Sequence, residues 1–216
     1  MEDRTCRWEL RTLTVGPLAM NAYLLCEHAG GEAMLVDPGD EPDVLLDAIA
    51  VSGCRLRHLV ATHGHFDHVS AAVDIQEVHD LPLQLHADER PILEMLEQSR
   101  AAFGFPPVTP PRCTYRGGAD WTLPLGRGEV TVIHVPGHSP GHVLLRWPGH
   151  ALVGDLVFAE SVGRTDLPGA SFAQLERSIR DQVYTLPDDT VLHPGHGPET
   201  TVGHERRHNP FVRDTD

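Results

Sequence analysis

Apolar and polar positions alternate along Trp8–Val15, a period of two that predicts a strand, and Asn21–Glu27 and Ala33–Val36 read as two more. Asp37-Pro38-Gly39-Asp40 stops the third strand. Pro42 then stands where a helix can begin, because the first helical N–H has no partner to lose. Val44, Leu45, Ala48 and Ile49 mark one face of that helix, which Gly53 closes. Leu59–Ala61 is a short apolar run that predicts a buried strand leading into Thr62-His63-Gly64-His65. Further on the pattern predicts a helix from about His68 to Val78, a strand at Leu83–Leu85, and a helix over Asp88–Arg100 with Ile92, Leu93, Met95 and Leu96 on its apolar face. A proline-rich loop, Phe103–Arg112, separates these from strands near Val130–Val135, Val143–Trp147 and Ala151–Val153. A loop over Asp155–Ala170, a helix over Ser171–Tyr184 and a strand over Thr190–Leu192 complete the reading. Strand pairs first, then strands and helices mixed, predict an α/β (α+β) fold of two sheets with helices outside. With no linker and no repeat, the expectation is a single domain over 1–216.

Composition sharpens this mainly by exclusion. The chain has 216 residues, 40% of them hydrophobic and 22% charged, the balance of a globular protein. Its 17 basic and 31 acidic residues leave a formal charge of −14, which argues against a nucleic-acid partner. All the basic residues are arginine, so Schiff-base chemistry and a phosphate-cradling P-loop lysine are excluded. The 4 cysteines, Cys6, Cys26, Cys54 and Cys113, are scattered with no CxxC pair, and read neither as a disulfide framework nor as a thiolate zinc site. Met1-Glu2-Asp3-Arg4 is charged, no signal-type apolar segment follows, and nowhere is there an apolar run long enough to span a bilayer. A cytoplasmic protein without a membrane partner is expected.

Histidine is the anomaly, at 15 residues against 6 Phe, 3 Tyr and 3 Trp. His63-Gly64-His65-Phe66-Asp67-His68 packs four ligand-type side chains into the turn between an apolar strand and a helix. In an extended turn His63 and His65 point the same way, with Asp67 and His68 at the mouth of the helix. Imidazole and carboxylate together suit zinc, iron or manganese. Three other pieces each place one such group just past a strand: Pro136-Gly137-His138, Gly154-Asp155, and Pro194-Gly195-His196-Gly197. Glycine beside each lets the backbone turn sharply.

The set HxHxDH, PGHSPGH, GD and PGHG resembles the metallo-β-lactamase superfamily in its glyoxalase II (hydroxyacylglutathione hydrolase)-like branch, short single-domain type. Val162-Gly163-Arg164-Thr165-Asp166 and Glu205-Arg206-Arg207-His208-Asn209-Pro210-Phe211 carry the same resemblance. It implies a four-layer αββα sandwich and two divalent metal ions, zinc first, with iron or manganese as alternatives. His63, His65 and His138 would hold one ion; Asp67, His68 and His196 the other; Asp155 would bridge them together with a water or hydroxide. His142 matches no ligand position and reads as a supporting or turn residue, Asp37 as a residue orienting a ligand histidine, Arg164 and Asp166 as an ion pair shaping a loop, and the Asn209-Pro210-Phe211 tail as a structural latch.

A divalent ion can lower the pKa of bound water from about 15.7 to about 7, roughly 12 kcal/mol of activation that no side chain here supplies. The resemblance therefore implies a metal-dependent hydrolase of acyl-thioesters such as S-lactoylglutathione, with Asp67 also catalytic in orienting the attacking hydroxide. The expected partner is a small-molecule thioester, glutathione-linked, and a homodimer is compatible with the sequence. Larger glyoxalase II proteins carry a C-terminal helical domain that helps bind glutathione, which is not expected in a chain that ends soon after His196. Asp88–Arg116, with Phe103, Phe105, Arg112 and Arg116, is the expected substitute wall, arginine forks suiting carboxylates. Two alternatives remain: a persulfide dioxygenase with one iron at His63, His138 and Asp155, and a non-catalytic metal-binding module.

Overall fold

In the computed structural model, which describes residues 6–118 and 120–213, the alternating segments become strands whose two faces serve two different cores. The charged Met1–Arg4 start lies outside the described residues. Strands β1 (Trp8–Val15), β2 (Met20–Glu27) and β3 (Glu32–Val36) pair antiparallel; β4 (Arg55–Val60), β5 (Leu83–His86) and β6 (Cys113–Arg116) extend the sheet in parallel register. Parallel neighbours need crossovers. These are α1 (Pro42–Ser52), then α2 (Phe66–Val69) with α3 (Ala72–His79), then α4 (Arg90–Glu94) with α5 (Leu96–Ala102). The second sheet holds β7 (Asp120–Leu125), β8 (Gly128–His134), β9 (Val143–Trp147), β10 (His150–Gly154), β13 (Val191–Pro194) and β14 (Thr200–Thr201), in spatial order from β7 to β14. Its parallel pair, β10 and β13, is joined through α6 (Phe172–Ser178) and a π-helical turn over Ile179–Val183. Between β10 and α6 lies a small ribbon of β11 (Val157–Phe158) and β12 (Ser161–Val162), and α7 (Val202–His208) follows β14.

The period of two sorts side chains between layers. In β2 and β3, Ala22, Leu24, Cys26, Ala33 and Leu35 face α1–α3, whose Leu45, Ile49 and Ile75 meet them. The intervening Tyr23, Leu25, Met34 and Val36 face Val130, Val132, Leu145 and Trp147 of the other sheet. On the far side of that sheet Ile133, Leu144, Ala151 and Val153 pack under α6 against Leu175 and Ile179. Each fully buried Leu or Ile contributes about 1.5–3 kcal/mol relative to exposure. The result is the four-layer αββα sandwich, α/β (α+β) as expected.

Two helices differ from the pattern. The helix expected from His68 to Val78 is broken between α2 and α3, because the Ala71 N–H donates to Pro38 O at 2.9 Å instead of continuing the helix ladder. A Cβ on Gly39 would meet Asp67 O at 1.8 Å, so the Asp37-Pro38-Gly39 turn lies directly on α2. The helix expected over Asp88–Arg100 begins as a 3₁₀ turn at Ala87–Glu89 and divides at Met95. Strands β6, β7 and β14 and helix α7 were not legible in the periodicity. Asn209 does act as a latch: its amide donates to Ser161 O and Glu205 Oε2, and its Oδ1 accepts from the Phe211 and Val212 N–H groups.

Candidate metal centre

Five strand ends converge on one edge of the sandwich. Asp37 follows β3, His63 and His65 follow β4, His138 follows β8, Asp155 follows β10 and His196 follows β13, while Asp67 and His68 lie in α2. The two sheets are tied together at this edge. Asn21 N donates to Gly195 O at 2.8 Å, Tyr23 Oη to Pro194 O at 2.7 Å, and Val143 N to Thr62 O at 2.8 Å.

All seven residues expected as ligands are brought together. Donor atoms of His63, His65 and His138 lie within 4.8 Å of one another, as do those of Asp67, His68 and His196, and those of His63, His68 and Asp155. His138 Nε2 is 2.9 Å from His65 Nδ1. Asp155 lies between the two groups: its Oδ1 is 3.5 Å from His68 Nε2, and its Oδ2 is 3.6 Å from His138 Nε2 and 3.8 Å from His196 Nε2. A Cβ at Gly195 would fall 2.2 Å from Asp155 Oδ1 and 2.8 Å from His68 Cε1, so only glycine leaves room for this packing.

The outer nitrogens of His63, His138 and His196 are anchored, and the inner nitrogens of His63 and His68 are left without a hydrogen-bond partner. Thr62 Oγ1 donates to Asp37 Oδ2 at 2.8 Å, so it faces His63 Nδ1, 3.0 Å away, as an acceptor and leaves a lone pair on His63 Nε2. His138 Nδ1 donates to Arg164 O at 2.9 Å, and His196 Nδ1 to Leu18 O at 3.2 Å. His68 Nδ1 lies 3.0 Å from Asp37 Oδ2, an ion-pair distance without hydrogen-bond alignment. Asp37 thus orients two ligand-type histidines, one directly and one through Thr62. It does so from a left-handed backbone at φ 54°.

His63 Nε2, His68 Nε2 and Asp155 Oδ1 are buried with no hydrogen-bond partner. Buried polar atoms are rarely left so, and converging lone pairs repel unless a cation lies among them. The donor set and its orphaned atoms therefore fit divalent metal. Titration agrees. Burial, reinforced by the neighbouring imidazoles, pushes His63 well below its ordinary value, and burial beside His138 brings His65 to about 3. For Asp155, burial would raise the pKa, but His68, His138 and His196 outweigh it and hold the carboxyl well below the usual range. Burial works against a charge on His68, yet Asp155, Asp37 and Asp67 raise its pKa well above the ordinary value. Asp67 and Asp155 thus bring negative charge to the spot where the orphaned donors meet, with Asp37 behind His68.

Two supports were less visible from sequence. His142 is an internal brace: its Nε2 accepts the Asp155 backbone N–H at 3.1 Å and its ring stacks 5.0 Å from that of His63. Glu89 went unnoticed. Its buried carboxylate accepts from Gly64 N at 2.7 Å, and from Ser139 Oγ and Gly141 N at 2.6 Å each. Only its position one residue past the expected start of a helix set it apart from other acidic residues.

A cavity of about 620 Å³ opens over His65, Asp67, His138, Asp155 and His196. Phe103 lines it, half exposed, whereas Phe105 packs on Phe66 in the helix-side core. The arginines expected in its wall lie elsewhere: Arg112 pairs with Asp80 at 2.9 Å, and Arg116 lines a separate hollow beside His58. Arg116 is carried to the sheet edge by β6, a segment that the sequence pattern leaves unassigned. Arg164 does line the cavity, its guanidinium bound bidentately to Asp166 at 2.7 and 2.9 Å.

Comparison with known proteins agrees with this geometry. A family model of the metallo-beta-lactamase superfamily matches residues 15–196. A probable metallo-hydrolase of Bacillus subtilis, YqgX, is 35% identical across 94% of this chain and 96% of its own length. The hydroxyacylglutathione hydrolase GloC of Haemophilus influenzae is 33% identical across 83% of this chain and 87% of its own. The solved structure of TTHA1623, in a di-iron-bound form, superposes with a TM-score of 0.84 at 41% identity, covering 94% of this chain and 100% of that one.

Proposed function

The chain belongs to the metallo-beta-lactamase superfamily, and from that premise we propose that it is a metal-dependent hydrolase of acyl-thioesters holding two divalent ions, zinc first among them. The observation that carries this is the convergence of seven ligand-type side chains, three with orphaned buried atoms, at the floor of an open cavity. His63, His65 and His138 would hold one ion, Asp67, His68 and His196 the other, with Asp155 between them. Divalent ions bound there supply activated water near neutral pH and polarise a carbonyl.

The chain's own residues do the rest. Asp67, whose Oδ2 is 3.3 Å from His196 Nε2, stays a carboxylate because His68 and His196 outweigh its burial, so Oδ2 can take a hydrogen bond from the attacking water and orient it. Water oxygen bonds to the acyl carbon, the carbon–sulfur bond breaks, and the thiolate leaves with its electron pair, later taking the proton released by the new acid. A thiolate needs little help from a general acid, which suits a floor made of ligands. The likeness to GloC makes S-lactoylglutathione the first probe.

The experiment is elemental analysis of untagged protein with parallel thioester and persulfide assays. Two equivalents of metal and thioester turnover abolished by a chelator and restored by added metal are expected. Oxygen uptake with glutathione persulfide and no thioester turnover would replace this reading with the dioxygenase. Metal-loaded protein inert to every thioester and persulfide would leave a binding module.

A further inference from the structure

Apart from its metal-facing floor, the cavity is walled mainly by hydrocarbon, with Gln98, Ser99, Ser161 and Arg164 as its polar members. Leu18 comes from the β1–β2 turn, Ile92 and Met95 from the α4 segment, Phe103 from the end of α5, and Phe158 and Leu167 from the stretch between β10 and α6. Four separate chain segments thus send apolar side chains to one hollow, so no single amphipathic helix accounts for it. Leu18 is 38% and Phe103 55% exposed, although large apolar groups left in water are costly. The ring of Phe103 is held 5.2 Å from that of Phe66, which fixes it as a wall. Charged anchoring above the floor is sparse. Among the described lining residues Arg164 is the one arginine, and both arms of its fork already hold Asp166.

A ligand matched to this hollow brings apolar surface to cover Leu18 and Phe103, and few charges of its own. We propose that the cavity selects thioesters by an apolar acyl chain of about four to eight carbons, seated against Met95, Phe103, Phe158 and Leu167 while the carbonyl lies over the metal floor. This rests on the thioester reading above and narrows it. The chain is assigned to the acyl side because the thiol leaves and needs the open mouth of the cavity. Small hydroxyacyl groups, with little apolar surface, gain nothing from such a wall.

The test uses metal-loaded protein and two series of probes. In the first, acetyl, butanoyl, hexanoyl and octanoyl thioesters of N-acetylcysteamine are compared with S-lactoylglutathione and with the acetyl thioester of octanethiol. We expect kcat/KM to rise roughly two- to fourfold per acyl methylene. Phe103→Ser should cut the octanoyl-to-acetyl ratio at least tenfold without altering metal content or Tm; Met95→Ser serves if Phe103→Ser fails to fold. The second series measures binding of unreactive S-methyl to S-octyl thioethers of N-acetylcysteamine by calorimetry. Rising affinity with chain length but no thioester turnover would keep the apolar subsite and remove the thioesterase reading. Turnover with a flat dependence on acyl length, S-lactoylglutathione outrunning octanoyl thioester, or a preference that follows the thiol side would each overturn the inference.

Discussion

Among the described residues two separate clusters bring three or more ligand-type atoms together, and only the one at the strand ends has the character of a metal centre. His86, Asp88 and His134 also bring ligand-type atoms within 4.8 Å of one another. There the imidazoles of His86 and His134 lie stacked, 4.1 Å apart and 9° from parallel, with Trp121 continuing the stack. Parallel rings send their lone pairs side by side instead of toward a common point. Their nitrogens are also in use: His86 bonds Gly118 O and the Asp88 N–H, and His134 Nε2 bonds Pro140 O. At the strand-end cluster the His63 and His138 rings meet at 86°, their outer nitrogens are held, and His63 Nε2, His68 Nε2 and Asp155 Oδ1 are buried without partners. Proximity of ligand-type residues is thus a poor criterion; convergence of unused lone pairs is the useful one.

The contrast is broken or sharpened by substitution. The largest effect is expected for His63→Ala, which should lose metal and reduce activity by well over about 100-fold, beyond what an outer support costs. His86→Leu, at the other cluster, should keep its full metal stoichiometry. Elemental analysis of both variants decides it, and metal loss in His86→Leu would erase the distinction. Next comes Asp37→Asn. Asparagine tolerates the left-handed backbone and keeps the shape, but loses the charge beside His68. Metal affinity should fall about 10- to 100-fold in a chelator competition with the fold intact; unchanged affinity would show that Asp37 orients nothing.

The smallest effect concerns a third, purely structural group. His193 stacks with His150 and Trp147, and burial beside His150 lowers its pKa to about 4. The unfolded chain takes up this proton near pH 6.5 and the folded one only near 4, so the stability present above pH 6.5 is lost as pH falls between these values. Tm should therefore drop on going from pH 7 to 5, and His193→Gln should make that drop shallower. An equally steep drop in the variant would assign acid sensitivity to other groups.

The strongest elements and the seven residues that cluster at the strand ends were legible because each obeyed a local rule. Trp8–Val15 alternates in sequence, α1 begins at Pro42 and is capped by Gly53, and the clustered residues stand in or beside turns marked by Gly64, Gly137, Gly154 and Gly195. What escaped notice depended on distant parts of the chain. β6 is four residues paired to β5 across a long excursion, and β7 carries Pro124, tolerable because this strand lies at a sheet edge. The break between α2 and α3 is dictated by Pro38, outside the helix altogether. Glu89 has no motif, since its partners lie 25, 50 and 52 residues away. The cavity's apolar wall is assembled from separate segments, so no window of sequence displays it.

Glu89 has a consequence for how an ion would arrive. Its carboxylate clasps the loop after β4 and the loop after β8, one from each sheet. Those loops therefore surrender their freedom when the chain folds, and the donors stand assembled beforehand. An ion would then shed its hydration shell against donors already in place, with no closure of the protein to assist it. A frame set in advance would sort ions by how well each fits it, not by how far the polypeptide can yield.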